Sequence, residues 1–176
     1  MISLPFHRAR RQAANIAALY GMIVAQARSP SFYRECGVPD SVEGRLDMIV
    51  LHLVLVLRAL GTGSAVSQQL FDHFCRDIDG NLREMGIGDL AVPKHMQRVG
   101  EAFYGRAKAY ETALDAGDAT ALEAAIARNV FGSAESNLGA RRLATYMTDA
   151  TNRLGSIDPA ALDKLKLDFP DSRLAP

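Results

Sequence analysis

An acidic segment in the middle of the chain has the residue types of a calcium site. It reads DIDGN at residues 77–81 and is followed by Glu84. A calcium loop of the EF-hand type has its glycine at position six and its glutamate at position twelve. Here the glycine is the fourth residue and the glutamate the eighth, counted from Asp77. The spacing therefore argues against a calcium loop.

The histidines and cysteines do not form a recognisable site either. His73 and Asp77 are four residues apart and would share a helix face, but two ligands without a third do not make a zinc site. Cys36 and Cys75 are the only cysteines, and their spacing indicates neither a metal site nor a disulfide framework, which suits a reducing compartment. The sequence has no phosphate-binding glycine loop and no nucleophile elbow. We therefore predict no catalytic residues, no metal and no cofactor.

Charged residues instead form a regular row along a predicted helix. Asp72, Arg76, Asp79 and Arg83 are spaced by three or four residues, and each acid lies four residues before a base. This order favours intrahelical ion pairs. Two interpretations are open: the row is a solvated face with weak ion pairs, or it is a patch that a partner recognises.

Helical spacing of apolar residues extends through most of the chain. It predicts helices at about residues 8–28, 42–60, 68–85, 93–114, 119–130 and 138–154. No segment has the two-residue alternation of a strand. We predict an all-α, single-domain helical bundle of about six to seven helices over residues 1–176. Its core would span about residues 8–155, followed by a C-terminal tail at residues 156–176, and we expect the C-terminal residues to be loose.

The most apolar segment, Met48–Leu57, is predicted to be the buried central helix. Its ten residues are too few to cross a bilayer, which requires about 20. His52 interrupts the segment, and we expect it to be a hydrogen-bonded core histidine. Asp40 and Glu43 have the spacing of a capping box that would begin this helix.

Four further residues carry expectations that a structure can test. Gly80 and Gly105 lie inside predicted helices, where a glycine costs about 1 kcal/mol relative to alanine. We expect another backbone to pack closely against each, the alternative being a bend in the helix. Phe32 and Tyr33 are large for a loop. We expect them to fold back over the core, the alternative being an exposed contact for a partner.

The charges balance overall, with 20 basic and 20 acidic residues, so we expect no nucleic-acid partner. Residues 1–34 nevertheless contain no acid and five arginines, namely Arg8, Arg10, Arg11, Arg28 and Arg34. Such a segment is compatible with a transit peptide, but it continues without a break into the first core helix. We prefer a basic edge that contacts anionic lipid, at about 1 kcal/mol per residue. This predicts a cytoplasmic protein, peripheral at the inner face of the inner membrane.

Three segments resemble the ubiquinol–cytochrome c chaperone family. They are SPSFYRECGVPDSVEGRLDMIVLHLVLVLRAL at residues 29–60, LFDHFCRDIDGNLREMGIGDLAVPKHM at 70–96, and AFYGRAKAY at 102–110. The most specific parts are the FDxFxxDxDxxLREMGxGD and FYGRxxAY patterns. The resemblance covers about residues 8–150.

The resemblance implies a non-catalytic, all-helical assembly factor for the ubiquinol–cytochrome c reductase complex. Its partners would be cytochrome b or another reductase subunit, and mitochondrial members of the family also work with a small helical co-chaperone. Those members carry a long N-terminal extension, which this sequence lacks, so we expect a bacterial protein. The family supplies no catalytic residues.

A chaperone for a membrane subunit needs a surface that covers apolar helices, and charges that orient it. Our candidates for partner contact are Arg45, Asp72, Asp79, Arg83, Asp89, Tyr104 and Arg106. Each is equally compatible with a structural role. The chaperone interpretation predicts an open apolar groove. The alternative, a lipid- or quinone-binding module, predicts a closed apolar tunnel along the Met48–Leu57 helix, and a small enzyme would need converging polar groups, of which the sequence has no sign.

Overall fold

The computed structural model describes residues 5–61, 63–158, 162 and 166–171, with side chains from residue 9 onward. In these residues the regular secondary structure is helical throughout, which confirms the all-α prediction. The helices are α1 (Pro5–Ala27), α2 (Pro30–Arg34), α3 (Val42–Leu60), α4 (Ala65–Glu84), α5 (Val92–Ala116), α6 (Ala119–Val130) and α7 (Leu138–Leu154). The described helices share a hydrophobic cluster. The extent of the single domain over residues 1–176 stays a prediction.

Helix α3 is the central element, as predicted. Every side chain from Met48 to Val56 is buried, and α3 contacts α1, α4, α5, α6 and α7. A helix that is apolar on all sides requires such a complete cover. No described helix is both long enough and apolar enough to cross a lipid bilayer.

His52 is a hydrogen-bonded core histidine, which confirms the prediction. Its Nδ1 donates to the main-chain carbonyl of Met48 at 2.7 Å, and its Nε2 accepts from the Tyr146 hydroxyl at 2.9 Å. That hydroxyl in turn accepts from Nε2 of Gln26 at 3.0 Å. Burial lowers the pKa of His52 to about 4, against a smaller raising effect of the Met48 hydrogen bond, so the ring is neutral. The hydrogen-bond chain connects α1, α3 and α7.

The C-terminal segment is packed against the bundle, so the expectation of a loose tail is wrong for the residues described. The amide of Ile157 donates to the carbonyl of Ala59 at 2.8 Å. The Phe169 ring lies 5.3 Å from the His52 ring, centre to centre, and the Pro170 carbonyl accepts from Gln26 at 3.4 Å. The segment thus adds apolar cover over the buried polar chain. Asp158-Pro159, where the sequence favours the start of a short turn, lies partly outside the described residues.

The capping-box prediction at the α3 N-terminus is wrong by one residue, because Ser41 and not Asp40 is the N-cap. Ser41 has an extended backbone, and its Oγ accepts from the amide of Gly44 at 3.1 Å. Asp40 is instead bonded through Oδ1 to Nε of Arg45 at 2.7 Å. Since a serine oxygen is already in place, the preceding aspartate is free to pair with a base. Phe32, in contrast, is fully buried, which confirms that it folds back over the core.

The expectation for Gly80 and Gly105 is also wrong, because a Cβ at either position would meet no atom within 4 Å. Close packing occurs at other glycines. A Cβ on Gly44 would lie 2.0 Å from the Pro39 carbonyl oxygen, and one on Gly139 would lie 2.0 Å from that of Cys36. The connection between α2 and α3 therefore packs directly against the first turns of α3 and α7.

We predict that Gly139→Ala lowers the free energy of unfolding by roughly 1–3 kcal/mol, because its methyl group would overlap the Cys36 carbonyl and the Phe131 ring. Gly105→Ala is the matched control. It should keep the stability unchanged or raise it by up to about 1 kcal/mol, since alanine is the better helix former. Urea denaturation measures both, and equal effects would contradict the close packing at Gly139.

We also predict a pH dependence from His52. The unfolded state takes up a proton below pH 6.5, whereas the folded state does so only near pH 4. Stability is therefore lost as the pH falls from about 6.5 to about 4, by as much as about 3 kcal/mol. Subtracting the profile of His52→Gln from that of the wild type isolates this group. A difference that does not change with pH would show that His52 titrates normally.

Candidate partner-binding site

An apolar groove lies between α4 and α5 and is open to solvent. Val54 and Leu57 of α3 form its floor. Its walls and polar rim consist of Gly63, Ser64, Ser67, Gln68 and Phe71 on one side and Phe103, Tyr104, Ala107 and Glu111 on the other. Its volume is about 250 Å³. The open form is the one that the chaperone interpretation predicts.

Three aromatic rings build the middle of the groove. The ring centre of Phe71 is 4.8 Å from that of Phe103 and 5.7 Å from that of Tyr104. Phe103 is buried, whereas Tyr104 is 64% exposed. Mutual packing orders the rings, and Tyr104 offers an apolar face with a polar tip, a combination common at interfaces.

The groove is acidic at the end where Glu111 lies. Burial raises the pKa of Glu111. The positive charge of Arg58 lowers this pKa, and the negative charge of Asp115 raises it further. Arg58 forms an ion pair with Asp115, at 2.6 Å between Nη2 and Oδ1. Glu111 has no ion-pair partner among the described residues, so its carboxylate is available to a cation.

Three of the predicted contact residues come together at the end of α4. Nε of Arg83 lies 2.8 Å from Oδ2 of Asp79, and its Nη1 pairs with Asp89 in the following connection. The hydrogen bond that Arg83 donates to Asp79 is the main cause of the raised pKa of Arg83, and the negative charge of Asp89 raises this pKa further. All three side chains are substantially exposed, so this cluster is a polar surface feature.

The second intrahelical pair suggested by the charged row, Asp72 with Arg76, does not form. The Asp72 carboxylate accepts from Nε2 of Gln68 at 2.7 Å, and Nε of Arg76 donates to the main-chain oxygen of Asp72 at 3.2 Å. Because Gln68 lines the groove, Asp72 lies at the groove edge. The structure therefore brings Asp72 and Tyr104 to the same site.

Arg106 has a different environment. Its Nη2 lies 2.7 Å from Oδ1 of Asp47, and the two side chains are only 22% and 12% exposed. Desolvation raises the pKa of Asp47 to about 6. The positive charge of Arg106 lowers this pKa, whereas the negative charge of Glu43 raises it. The pair joins α5 to α3 inside the fold. Arg45 also lies apart from the groove, paired with Asp40.

Sequence reasoning missed most of the groove itself. The helical spacing of Leu57, Phe71 and Phe103 predicts core positions for all three, and Glu111 has no distinguishing pattern. A weak signal existed at Phe71 and Phe74, because two large rings three residues apart widen the apolar face beyond what one neighbouring helix can cover. In the described part of the chain, no group of three His, Cys, Asp or Glu side chains is arranged to hold a metal ion.

Comparisons with known proteins give concordant results. A family model described as ubiquinol-cytochrome C chaperone matches residues 34–169. In three dimensions the chain is similar to the crystal structure of the Cbp3 homolog from Brucella abortus, with a TM-score of 0.85 and 37% sequence identity. That similarity covers 97% of each chain. No curated protein matches the sequence.

Arg106→Ala should lower the free energy of unfolding by roughly 3 kcal/mol at pH 8, because it leaves the Asp47 carboxylate buried without its cation. The loss should be smaller at pH 5, where Asp47 is protonated in the folded state. Arg83→Ala, which removes an exposed cation, should change stability little at either pH. Urea denaturation of both variants at the two pH values tests this, and an equal, pH-independent effect would contradict a structural role for Arg106.

Proposed function

This chain belongs to the ubiquinol–cytochrome c chaperone family, and on that premise we propose that it is a non-catalytic assembly factor that binds cytochrome b through the α4–α5 groove. Another reductase subunit is the alternative client. The observation that carries the proposal is the open groove, with its apolar floor and the exposed ring of Tyr104. We propose no catalytic residue and no cofactor.

The groove suits a partner with an exposed apolar helix. A membrane subunit outside its complex has apolar helix faces that need temporary cover, and contiguous apolar surface on a folded protein is typical of interaction sites. Leu57, Phe71 and Tyr104, which are partly or largely exposed, supply that surface here. We propose that a helix of the client lies along the groove and contacts Tyr104.

The charges around the groove would orient the client. Membrane helices carry an excess of Lys and Arg at their cytoplasmic ends. Glu111 at the end of the groove, together with Asp72 at its edge, is complementary to such a basic flank. Asp79 and Arg83 of the Asp79–Arg83–Asp89 cluster lie further along α4, about 12 and about 18 Å from Phe71 at the rise of an α-helix. We propose that it makes the polar contacts at the rim, whereas Arg106 and Arg45 do not touch the client.

The open geometry favours this function over a lipid- or quinone-binding module. Sites for small ligands enclose most of the ligand surface. The groove is open to solvent and offers no closed tunnel along α3. We further propose that the protein acts on the cytoplasmic side of the inner membrane and that a small helical co-chaperone is a second partner.

We predict that the tagged protein, purified from mildly solubilised membranes of its own host, recovers cytochrome b. Tyr104→Glu should reduce this recovery strongly, because it places a charge on the apolar contact face. Charge reversal in Asp79→Lys/Arg83→Glu should reduce it less. Leu138→Glu is the matched control, since Leu138 is 58% exposed and lies outside the groove, and it should recover cytochrome b normally.

Thermal unfolding of each variant would confirm that the fold is retained. Recovery of no reductase subunit by the wild type, together with normal reductase levels after gene deletion, would refute the assembly function. If Tyr104→Glu and Leu138→Glu reduced the recovery of cytochrome b equally, the assembly function would stand, but the client would not bind in the groove.

A further inference from the structure

A second pocket lies at the opposite end of α3 from the groove. It is formed where the end of α1, the short α2 and the first turn of α3 meet. Its lining consists of Arg28, Pro30, Tyr33, Arg34, Asp40 and Arg45, and its volume is about 340 Å³. Three of its six lining side chains are therefore guanidinium groups.

The positive charge in this pocket is only partly neutralised. Arg45 binds Asp40 at 2.7 Å, which uses the one carboxylate of the lining. Arg28 and Arg34 are exposed and have no carboxylate partner among the described residues. Arg58 and Arg83, in comparison, each pair with an aspartate. The pocket thus holds two guanidinium groups whose donors are available to an anion.

The pocket is also held in place by the core. Phe32 of α2 is fully buried, and the Tyr33 hydroxyl donates to the carbonyl of Ala27 at 2.9 Å. Burial raises the pKa of Tyr33, whereas Arg45 and Arg28 lower it, which is consistent with both guanidinium groups lying near its ring. Arg28 and Arg34 are accordingly held by segments that are anchored to the core.

We propose that this pocket binds the phosphate group of an anionic phospholipid and docks the protein on a negatively charged membrane surface. The planar guanidinium presents paired N–H donors that match phosphate oxygens. Tyr33 adds an amphipathic ring of the kind that is enriched at the membrane–water interface. Because Asp40 remains paired with Arg45, Arg28 and Arg34 supply the contacts to phosphate.

The position of the pocket is compatible with client binding. Arg45 and Leu57 are twelve residues apart on α3, which corresponds to about 18 Å along the helix. A phospholipid headgroup at Arg28 and Arg34 would therefore leave the groove free. The membrane contact does not depend on the proposed client, and it can be tested without one.

The test is co-sedimentation of the full chain with vesicles of phosphatidylcholine alone and of an equimolar mixture with phosphatidylglycerol. The wild type should bind the mixed vesicles and not the neutral ones, and added salt should weaken the binding. Arg28→Gln/Arg34→Gln should weaken the partition about 25-fold, because each arginine near an anionic surface changes it about fivefold.

Arg98→Gln/Arg128→Gln is the matched control, since it removes the same charge from exposed positions on α5 and α6. It should retain nearly wild-type binding. Equal weakening by the two double variants would overturn the proposal, because general charge attraction would then explain the binding. No preference for the mixed vesicles would also overturn it.

Inorganic phosphate at constant ionic strength distinguishes the source of the anion. If it displaces the wild type from mixed vesicles, the pocket recognises phosphate as proposed. If the wild type binds inorganic phosphate through Arg28 and Arg34 but does not bind the vesicles, the phospholipid assignment is wrong and a soluble phosphate compound is the ligand. Circular dichroism would verify that both double variants are folded.

Discussion

The structure depends on complete burial of a helix that is apolar on every side. From Met48 to Val56 no side chain of α3 reaches solvent, so the surrounding helices must enclose it. The polar exception, His52, is accommodated because Met48 and Tyr146 satisfy both ring nitrogens. A buried imidazole without partners would cost several kcal/mol. The same constraint explains why the C-terminal segment is packed, since Phe169 covers the His52 ring.

The groove arises where this enclosure is incomplete. Near the C-terminal end of α3, Leu57 is only partly buried, and it lines the open groove between α4 and α5. The buried Asp47–Arg106 pair tethers α5 to the other half of α3. An ion pair of this kind contributes more to the specificity of packing than to net stability. The shape of the groove thus depends on contacts that lie outside it.

The helices and the central role of α3 could be predicted because they follow from periodicity within single segments. The limits of α3, α6 and α7 were predicted correctly. The errors concern choices between near-equivalent local partners or contacts with distant segments. Ser41 and Asp40 are both good capping residues, and the close approaches to Gly44 and Gly139 come from a connection whose path the sequence does not specify.

The candidate site was less predictable than the fold for a related physical reason. Periodicity assigns a side chain to an apolar face, but only the neighbouring helices decide whether that face becomes core or surface. The spacing of Phe71, Cys75, Ile78, Leu82 and Met85 predicts one apolar stripe. Phe71 nevertheless lines the groove, and Met85 is 58% exposed. Charges show the same limit: Arg83 and Arg106 are indistinguishable as residue types, but one lies in an exposed cluster and the other in a buried pair. Residues that bind a partner must therefore be identified by exposure and by unsatisfied bonding capacity, and by that criterion Tyr104 and Glu111 are the stronger candidates.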